Sequence, residues 1–295
     1  MGQDVWNTKE LGYMSQHEKL NFFIISSYLD YPIAPSLDEK LQKPHRLAFY
    51  FFVYRIEGPT KHSVDFSDIT VNPGQLLFLL PHQIHVFPPK DFSGIWFKLA
   101  INEDSLGQLP AAYAFLSNPL NNQLIDIDAG NENRVKGCFS ALEELVHKTK
   151  EKNPALIKSY LHSLLTELNL QYFKKMEDEG HQKAALPVFT KFNIIVNERF
   201  KTQPAISAIA SDLNISESKL YSIVKSATGI SPKEYLLQRV ILEAKRCLFY
   251  NEFTPKELSY HLGFEDPNYF FRIFKKYNGK SITHFCKEIS FKIQE

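Results

Sequence analysis

Cysteine is scarce: Cys138, Cys247 and Cys286 stand far apart in a chain of 295 residues. That spacing offers neither a disulfide framework nor the paired thiolates of a zinc site. Long apolar runs are missing as well. The longest aromatic-aliphatic stretch, Leu47 to Tyr54, falls far short of the ~20 residues that span a bilayer. The opening residues are polar and lack the apolar segment of a secretory signal, so a cytoplasmic protein with no membrane partner is expected. Net charge is also nearly absent, at +1. This total hides an asymmetry. Residues 187–295 hold 16 Lys and Arg against 11 Asp and Glu, a balance of +5, whereas residues 1–186 hold 18 against 22, a balance of −4. The basic half suits a polyphosphate partner, because neutralising phosphates releases counterions, and the acidic half does not. The length suits two domains rather than one.

What is present is a short pattern written twice. The first copy runs Ile209-Ala210-Ser211-Asp212-Leu213-Asn214-Ile215-Ser216, then Leu220-Tyr221-Ser222-Ile223-Val224-Lys225 and Thr228-Gly229-Ile230-Ser231. The second runs Leu258-Ser259-Tyr260-His261-Leu262-Gly263-Phe264-Glu265, then Phe270-Phe271-Arg272-Ile273-Phe274-Lys275 and Asn278-Gly279-Lys280-Ser281. Positions before each turn correspond at an offset of 49, and those after it at 50. Each copy predicts a short helix, a tight turn and a second helix, the grammar of helix-turn-helix DNA binding. Ala210 and Ser259 are equivalent, at a place where a small side chain lets two helices approach closely. One such pair is ordinary α-helical structure as readily as a DNA reader. Two in register, each closed by glycine after a basic helix, favour the reader.

On these residues the stretch from about Phe189 to Lys287 resembles the DNA-binding domain of the AraC/XylS family of bacterial transcription regulators. The signatures are the run Leu213 to Ser231 and the run Leu262-Gly263-Phe264-Glu265-Asp266-Pro267-Asn268-Tyr269-Phe270-Phe271-Arg272-Ile273-Phe274-Lys275-Lys276. Three positions depart from the family pattern. Ile282 stands where proline usually follows the final Gly-x-Ser, Ser259 where alanine is usual, and Pro255-Lys256-Glu257 replaces a more apolar lead-in. The resemblance implies a regulator, by analogy an activator, that binds the major groove of double-stranded DNA as a homodimer, with RNA polymerase as a further partner. The residues themselves leave activation and repression open.

The first half reads as β-rich, which makes the chain α+β. Leu47 to Tyr54 is dense in aromatic and β-branched residues and ends at Gly58-Pro59. Phe66 to Val71, Gln75 to Leu80 after the turn Asn72-Pro73-Gly74, and Ile95 to Leu99 continue the pattern; Pro81 and Pro88-Pro89 bracket His82 to Phe87. Short strands with turns between them suggest a small barrel or jelly roll. The arrangement Pro73-Gly74, Pro81, His85 within roughly Lys43 to Glu103 resembles the cupin-type effector domain that precedes the DNA-binding domain in many family members. Phe51, Tyr54, His62, His85 and Trp96 are the candidates for an effector pocket, with plain core as the alternative for the aromatic residues. A cupin metal site needs several imidazoles and a carboxylate converging on one ion. Here Val64 occupies the place of the second histidine of the first motif, leaving at most His62, His85 and Asp65. No metal and no other cofactor is expected.

Two amphipathic helices follow. Val135, Phe139, Leu142 and Val146 mark the first; Ile157, Leu161, Leu164 and Leu168 mark the second, with another ridge of Leu156, Tyr160 and Leu165. Two ridges mean cover on more than one side, from the barrel and from a second copy, or from one chain alone. The family resemblance favours the dimer. Glu177 to Lys183 is polar and contains glycine, as a linker would. The expected organisation is an effector domain at 1–130, a helical dimerisation segment at 131–176, a linker at 177–187 and the double helix-turn-helix at 188–295.

Pro232 to Tyr250 carries Leu236, Val240, Ala244, Cys247 and Leu248 on one stripe, which predicts one helix roughly 27 Å long. Units reading one face of B-DNA sit about 34 Å apart, so this helix is a plausible ruler. The recognition helices should begin near Glu217 and Pro267, with Asp266 as N-cap of the second. Base-edge candidates are Asn268, Phe271 and Arg272 in the second helix, and Ser218, Lys219, Tyr221 and Ser222 in the first. Lys225, Arg239, Lys245, Arg246, Lys275 and Lys276 are the phosphate candidates, which position without specifying. The expected function is a sequence-specific regulator of non-enzymatic kind, controlled by a small molecule in the barrel. A cupin metalloenzyme fused to a DNA-binding module, and a dimerising regulator with no effector, are the alternatives.

Overall fold

The computed structural model describes residues 5–6, 20, 22–28, 43–87, 94–120, 123–150, 153–178, 185–250 and 252–294. They form two compact units, one of Met1–Leu116 with Asn122–Lys175, the other of Ser117–Asn121 with Met176–Glu295. Among the described residues no helix is long and apolar enough to cross a membrane.

The first unit is built on two five-stranded sheets. One has the order β1 (Val5–Trp6), β3 (His45–Leu47), β8 (Ile84–Val86), β5 (Thr60–Val64), β6 (Ser67–Val71). The other has the order β10 (Leu124–Asp126), β7 (Gln75–Leu79), β4 (Tyr50–Arg55), β9 (Trp96–Ile101), β2 (Phe22–Ser26). Every pairing is antiparallel except β1 with β3. Among the described residues the sheets remain separate rather than closing into one barrel, and they share a core of Phe23, Ile25, Leu47, Phe49, Phe51, Val53, Val64, Val71, Leu77, Leu79, Trp96 and Ala100.

The apolar run Leu47 to Tyr54 is therefore not one strand. It leaves the first sheet at Leu47 and enters the second at Tyr50, crossing over at Ala48-Phe49. Its density has a physical cause, since β4 is covered on both faces. Phe51 and Val53 face the other sheet, whereas Phe52 packs near Phe115 and Tyr54 stacks on Phe139 at 5.7 Å. Phe115 lies in a short 3₁₀ turn, Ala114–Ser117, and Phe139 in α2 (Glu132–His147), which follows α1 (Glu103–Gly107). Strand β5 carries His62 and pairs with β6 and β8, with Thr60, His62 and Val64 buried and Lys61 and Ser63 turned outward. Pro88-Pro89 lie outside the described residues.

Val135, Phe139, Leu142 and Val146 line the buried side of α2. In α3 (Pro154–Asp178), Ile157, Leu161, Leu164, Leu165 and Leu168 are all buried within the one chain. The second ridge is thus corrected: Leu165 joins the first, while Leu156 is 43% exposed. Helix α3 runs to Asp178, so the linker's first two residues are helical, and its last two belong to α4 (Leu186–Arg199). Residues 179–184 lie outside the described residues.

The second unit is helical: α4, a 3₁₀ turn at Phe200–Thr202, α5 (Ile206–Asp212), α6 (Glu217–Thr228), α7 (Pro232–Phe249), α8 (Pro255–His261), α9 (Pro267–Asn278) and α10 (Ile282–Gln294). Its core is built on α7, whose Leu236, Val240, Ala244 and Cys247 are buried; α7 packs against α6 and α9, where Leu220, Val224, Phe270 and Phe274 are buried too.

Candidate nucleic-acid interface

The duplicated pattern becomes a duplicated backbone. After α5, Ile215 N–H donates to the Ala210 carbonyl at 3.0 Å; after α8, Phe264 N–H donates to the Ser259 carbonyl at the same distance. Asn214 and Gly263 hold matching left-handed conformations, φ 54° and 79°. Ala210 and Ser259 are both buried, and the Ser259 hydroxyl, which a tight helix contact would otherwise strand, donates to the Lys256 carbonyl at 2.7 Å. The departure at Ser259 therefore leaves the turn intact.

The second helices start where the sequence places them. Ser216 caps α6 by accepting from Lys219 N–H, and Asp266 caps α9 by accepting from the N–H groups of Asn268 and Tyr269. These bonds occupy donors that the first turn of a helix leaves open. Both helices end on left-handed glycines, Gly229 and Gly279, whose N–H groups donate to the carbonyls of Lys225 and Lys275. Ser231 then caps α7, and Ser281 accepts from His284 N–H at the start of α10, so Ile282 takes the place of Pro232 as a buried residue without loss of the cap.

The outward faces carry most of the candidates. Ser218, Lys219, Tyr221, Ser222 and Lys225 on α6 are exposed, as are Asn268, Arg272, Lys275 and Lys276 on α9; Phe271 is half-buried. Lys225 Nζ lies 5.5 Å from the Tyr221 ring and the Arg272 guanidinium 5.8 Å from the Tyr269 ring, so each cation leans on an aromatic neighbour. Tyr269 is itself exposed and was not singled out from sequence; its place beside Asn268 on the outward face is the signal.

Two phosphate candidates are corrected. Arg239 and Arg246 are buried. Arg239 donates to Asn197 Oδ1 at 2.9 Å and to Glu243 Oε2 at 3.1 Å, and its guanidinium lies 4.1 Å from the Phe200 ring. Arg246 approaches the same carboxylate at 3.6 Å. Burial works to raise the Glu243 carboxyl pKa, but the two guanidinium groups outweigh it and hold the group below its ordinary value. Within α7 both arginines share Glu243, and Arg239 also ties α7 to α4 and the turn after it. Lys245 is half-buried, with Nζ 5.8 Å from the Phe285 ring.

The effector candidates divide by strand parity. Phe51 and Trp96 face the space between the sheets, whereas Tyr54 faces α2, so it is removed from the pocket set. His85 pairs in register with His45 on one side and Val64 on the other. His62 Nδ1 and His85 Nε2 are 3.0 Å apart, one donating to the other, and the rings stack at 5.2 Å. Burial first, then the nearby positive charges of Lys98 and Arg55, push His62 down to about 3. Burial likewise lowers His85, so both imidazoles are neutral near pH 7. Among the described residues no group of three or more His, Cys, Asp or Glu is arranged to hold a metal ion.

Comparison with known proteins agrees with both halves. The family described as helix-turn-helix domain matches residues 209–288, and the family described as AraC-like ligand binding domain matches residues 31–165. The Msm operon regulatory protein of Streptococcus mutans is 26% identical over 81% of this chain and 84% of its own length. The HTH-type transcriptional activator RhaS of Escherichia coli O157:H7 is 22% identical over 86% of this chain and 91% of its own. Among solved structures, ToxT from Vibrio cholerae O395 aligns over 92% of this chain and 98% of its own, at 14% identity and a TM-score of 0.39. Twin turns, twin caps and an exposed pair of recognition helices, joined to a ligand-binding half of the matching kind, lead to one conclusion: the chain belongs to the AraC/XylS family of DNA-binding transcription regulators.

Proposed function

We propose that this regulator reads an asymmetric operator with α6 and α9 in successive major-groove segments. Asn268 and Arg272 contact base edges from α9, with Phe271 beside them; Ser218, Lys219, Tyr221 and Ser222 serve α6; Lys225, Lys275 and Lys276 hold phosphates. The observation that carries this is the matched capping of α6 and α9, which leaves equivalent outward positions exposed on both helices. A guanidinium suits guanine and a carboxamide suits adenine, each as a two-point contact. Activation follows the naming of RhaS as an activator, and RNA polymerase is then the downstream partner. A small molecule between the sheets of the first unit sets the activity of a homodimer, and the protein itself performs no chemical conversion. The dimer surface excludes Leu161 and Leu168, which are used up in the chain's own core; Leu156 and Leu170, 43% and 59% exposed on α3, are the side chains available to a second copy.

The test is selection of bound DNA from a random pool by the full chain, followed by two substitutions. Arg272→Ala should weaken the selected operator by about 1–3 kcal/mol and relax preference at one position. Lys275→Ala should weaken all sequences alike and reduce the slope of affinity against salt by about 1. Identical behaviour of the two variants in competition binding would contradict the assignment of base and phosphate contacts.

A further inference from the structure

The space between the two sheets holds a polar group that the apolar core does not account for. Lys98 pairs in register with Ile25 on β2 and Val53 on β4. Directly paired strand residues share a face, and both partners belong to the inter-sheet core, so Lys98 projects inward with them. Its Nζ lies 4.4 Å from the Trp96 ring and 5.6 Å from the Phe87 ring. The Phe87 ring in turn meets His85 at 4.4 Å and Phe51 at 5.3 Å. An ammonium, an indole, two stacked imidazoles and two phenyl rings are thus linked, each to the next, inside the sandwich.

Two atoms of this group have no partner. Trp96 Nε1 and His85 Nδ1 are buried without a hydrogen bond, although the other nitrogen of His85 is satisfied by His62. Buried polar atoms in folded proteins are almost always paired, and an orphan asks for a water, an ion or a ligand. The indole can only donate, the ammonium can only donate, and the imidazole can take either role. A polyol would need acceptors as well as donors from the wall. A carboxylate needs donors alone, and it gains from the charge of Lys98 in a low-dielectric interior.

We propose that this cluster between the sheets takes a small monocarboxylate with an apolar body: Lys98, the Trp96 indole N–H and His85 Nδ1–H hold the carboxylate, and Phe51 and Phe87 face the body. This inference rests on the reading of the first unit as the effector domain and names the chemical class of its ligand.

The chain has only two tryptophans, so Trp6→Phe leaves Trp96 as the single indole reporter. In that full-length background, phenylacetate and hexanoate are titrated beside phenylacetamide, hexanamide and a panel of monosaccharides. The expected result is a saturable change in Trp96 emission with at least one carboxylate, weaker by roughly tenfold or more for its neutral amide. Lys98→Met should remove that difference, and Lys98→Arg should restore most of it. The amide comparison uses the native lysine, so it decides even where Lys98→Met fails to fold. No response to either carboxylate, equal response to acid and amide, or a response only to a sugar would overturn the proposal. Operator binding is followed in the same samples. A Lys98-dependent carboxylate response with unchanged operator binding would sink the effector reading and leave the site standing, whereas a sugar response that alters operator binding would do the reverse.

Discussion

The two helix-turn-helix units make the same turn with different residues, and what lies behind the turn explains why. Asn214 in the first unit is left-handed, exposed and keeps a full side chain. Gly263 in the second takes the same backbone conformation, but a Cβ there would sit 2.0 Å from the Lys201 carbonyl oxygen. The chain after α4 braces the second turn: Gln203, itself left-handed, donates through Nε2 to the Leu262 carbonyl at 2.8 Å, and Lys201 Nζ lies 3.0 Å from His261 Nε2. Conformation alone allows asparagine; conformation together with a backbone passing close behind requires glycine.

The largest effect expected from this contrast is at the braced turn. Gly263→Ala adds left-handed strain and forces Phe200–Gln203 aside, which should cost about 3 kcal/mol or more; Asn214→Ala should cost only about 1 kcal/mol. Denaturant unfolding followed by helical circular dichroism compares them, and equal losses would mean that the brace is immaterial.

A smaller effect should come through Arg239, which packs over Phe200 and shares Glu243 with Arg246. Arg239→Ala removes one of two cations from a largely buried carboxylate, at a cost of about 3 kcal/mol or less because Arg246 remains. Its signature is location. Amide exchange should quicken at Leu262 and Gly263 more than at Leu213 and Asn214, and uniform quickening would argue against a brace confined to the second unit.

The smallest expected difference concerns the caps. Ser216→Ala and Asp266→Ala should each cost about 1 kcal/mol, with Asp266 the costlier because one carboxylate serves two N–H groups at a positive helix end. A reversed order in thermal unfolding would show that the caps do not distinguish the two helices.

Local rules carried the helical half well. Turn glycines, N-caps and the stripe on α7 are set within a few residues, so their positions could be written from sequence. One local device was still overlooked: Thr254 and Glu257 form a reciprocal capping box at the start of α8, and the spacing Thr-x-x-Glu announces it. Arg239 and Arg246 were misplaced because arginine on a helix ordinarily faces water. The acid between them, Glu243, is the available hint of a buried triad. In the β half the crossing of Leu47 to Tyr54 from one sheet to the other depends on pairings distant in sequence, which periodicity does not reveal. Parity does reveal something: Phe51 and Tyr54 are three positions apart, so one strand cannot point both to the same face of the sheet. The same parity, applied along Trp96, Lys98 and Ala100, would have drawn attention to the inward lysine.

Helix α7 is a continuous 18-residue rod, capped by Ser231 at its start, between the two reading units. Each inserted residue would lengthen such a rod by about 1.5 Å and swing everything beyond it by about 100°. On the proposed reading, a single-codon insertion or deletion would therefore turn one recognition helix away from the groove that the other enters. Over evolutionary time the length of α7 should be held far more tightly than the identity of its few exposed residues, and operators of related regulators should keep their internal spacing while their base sequences drift.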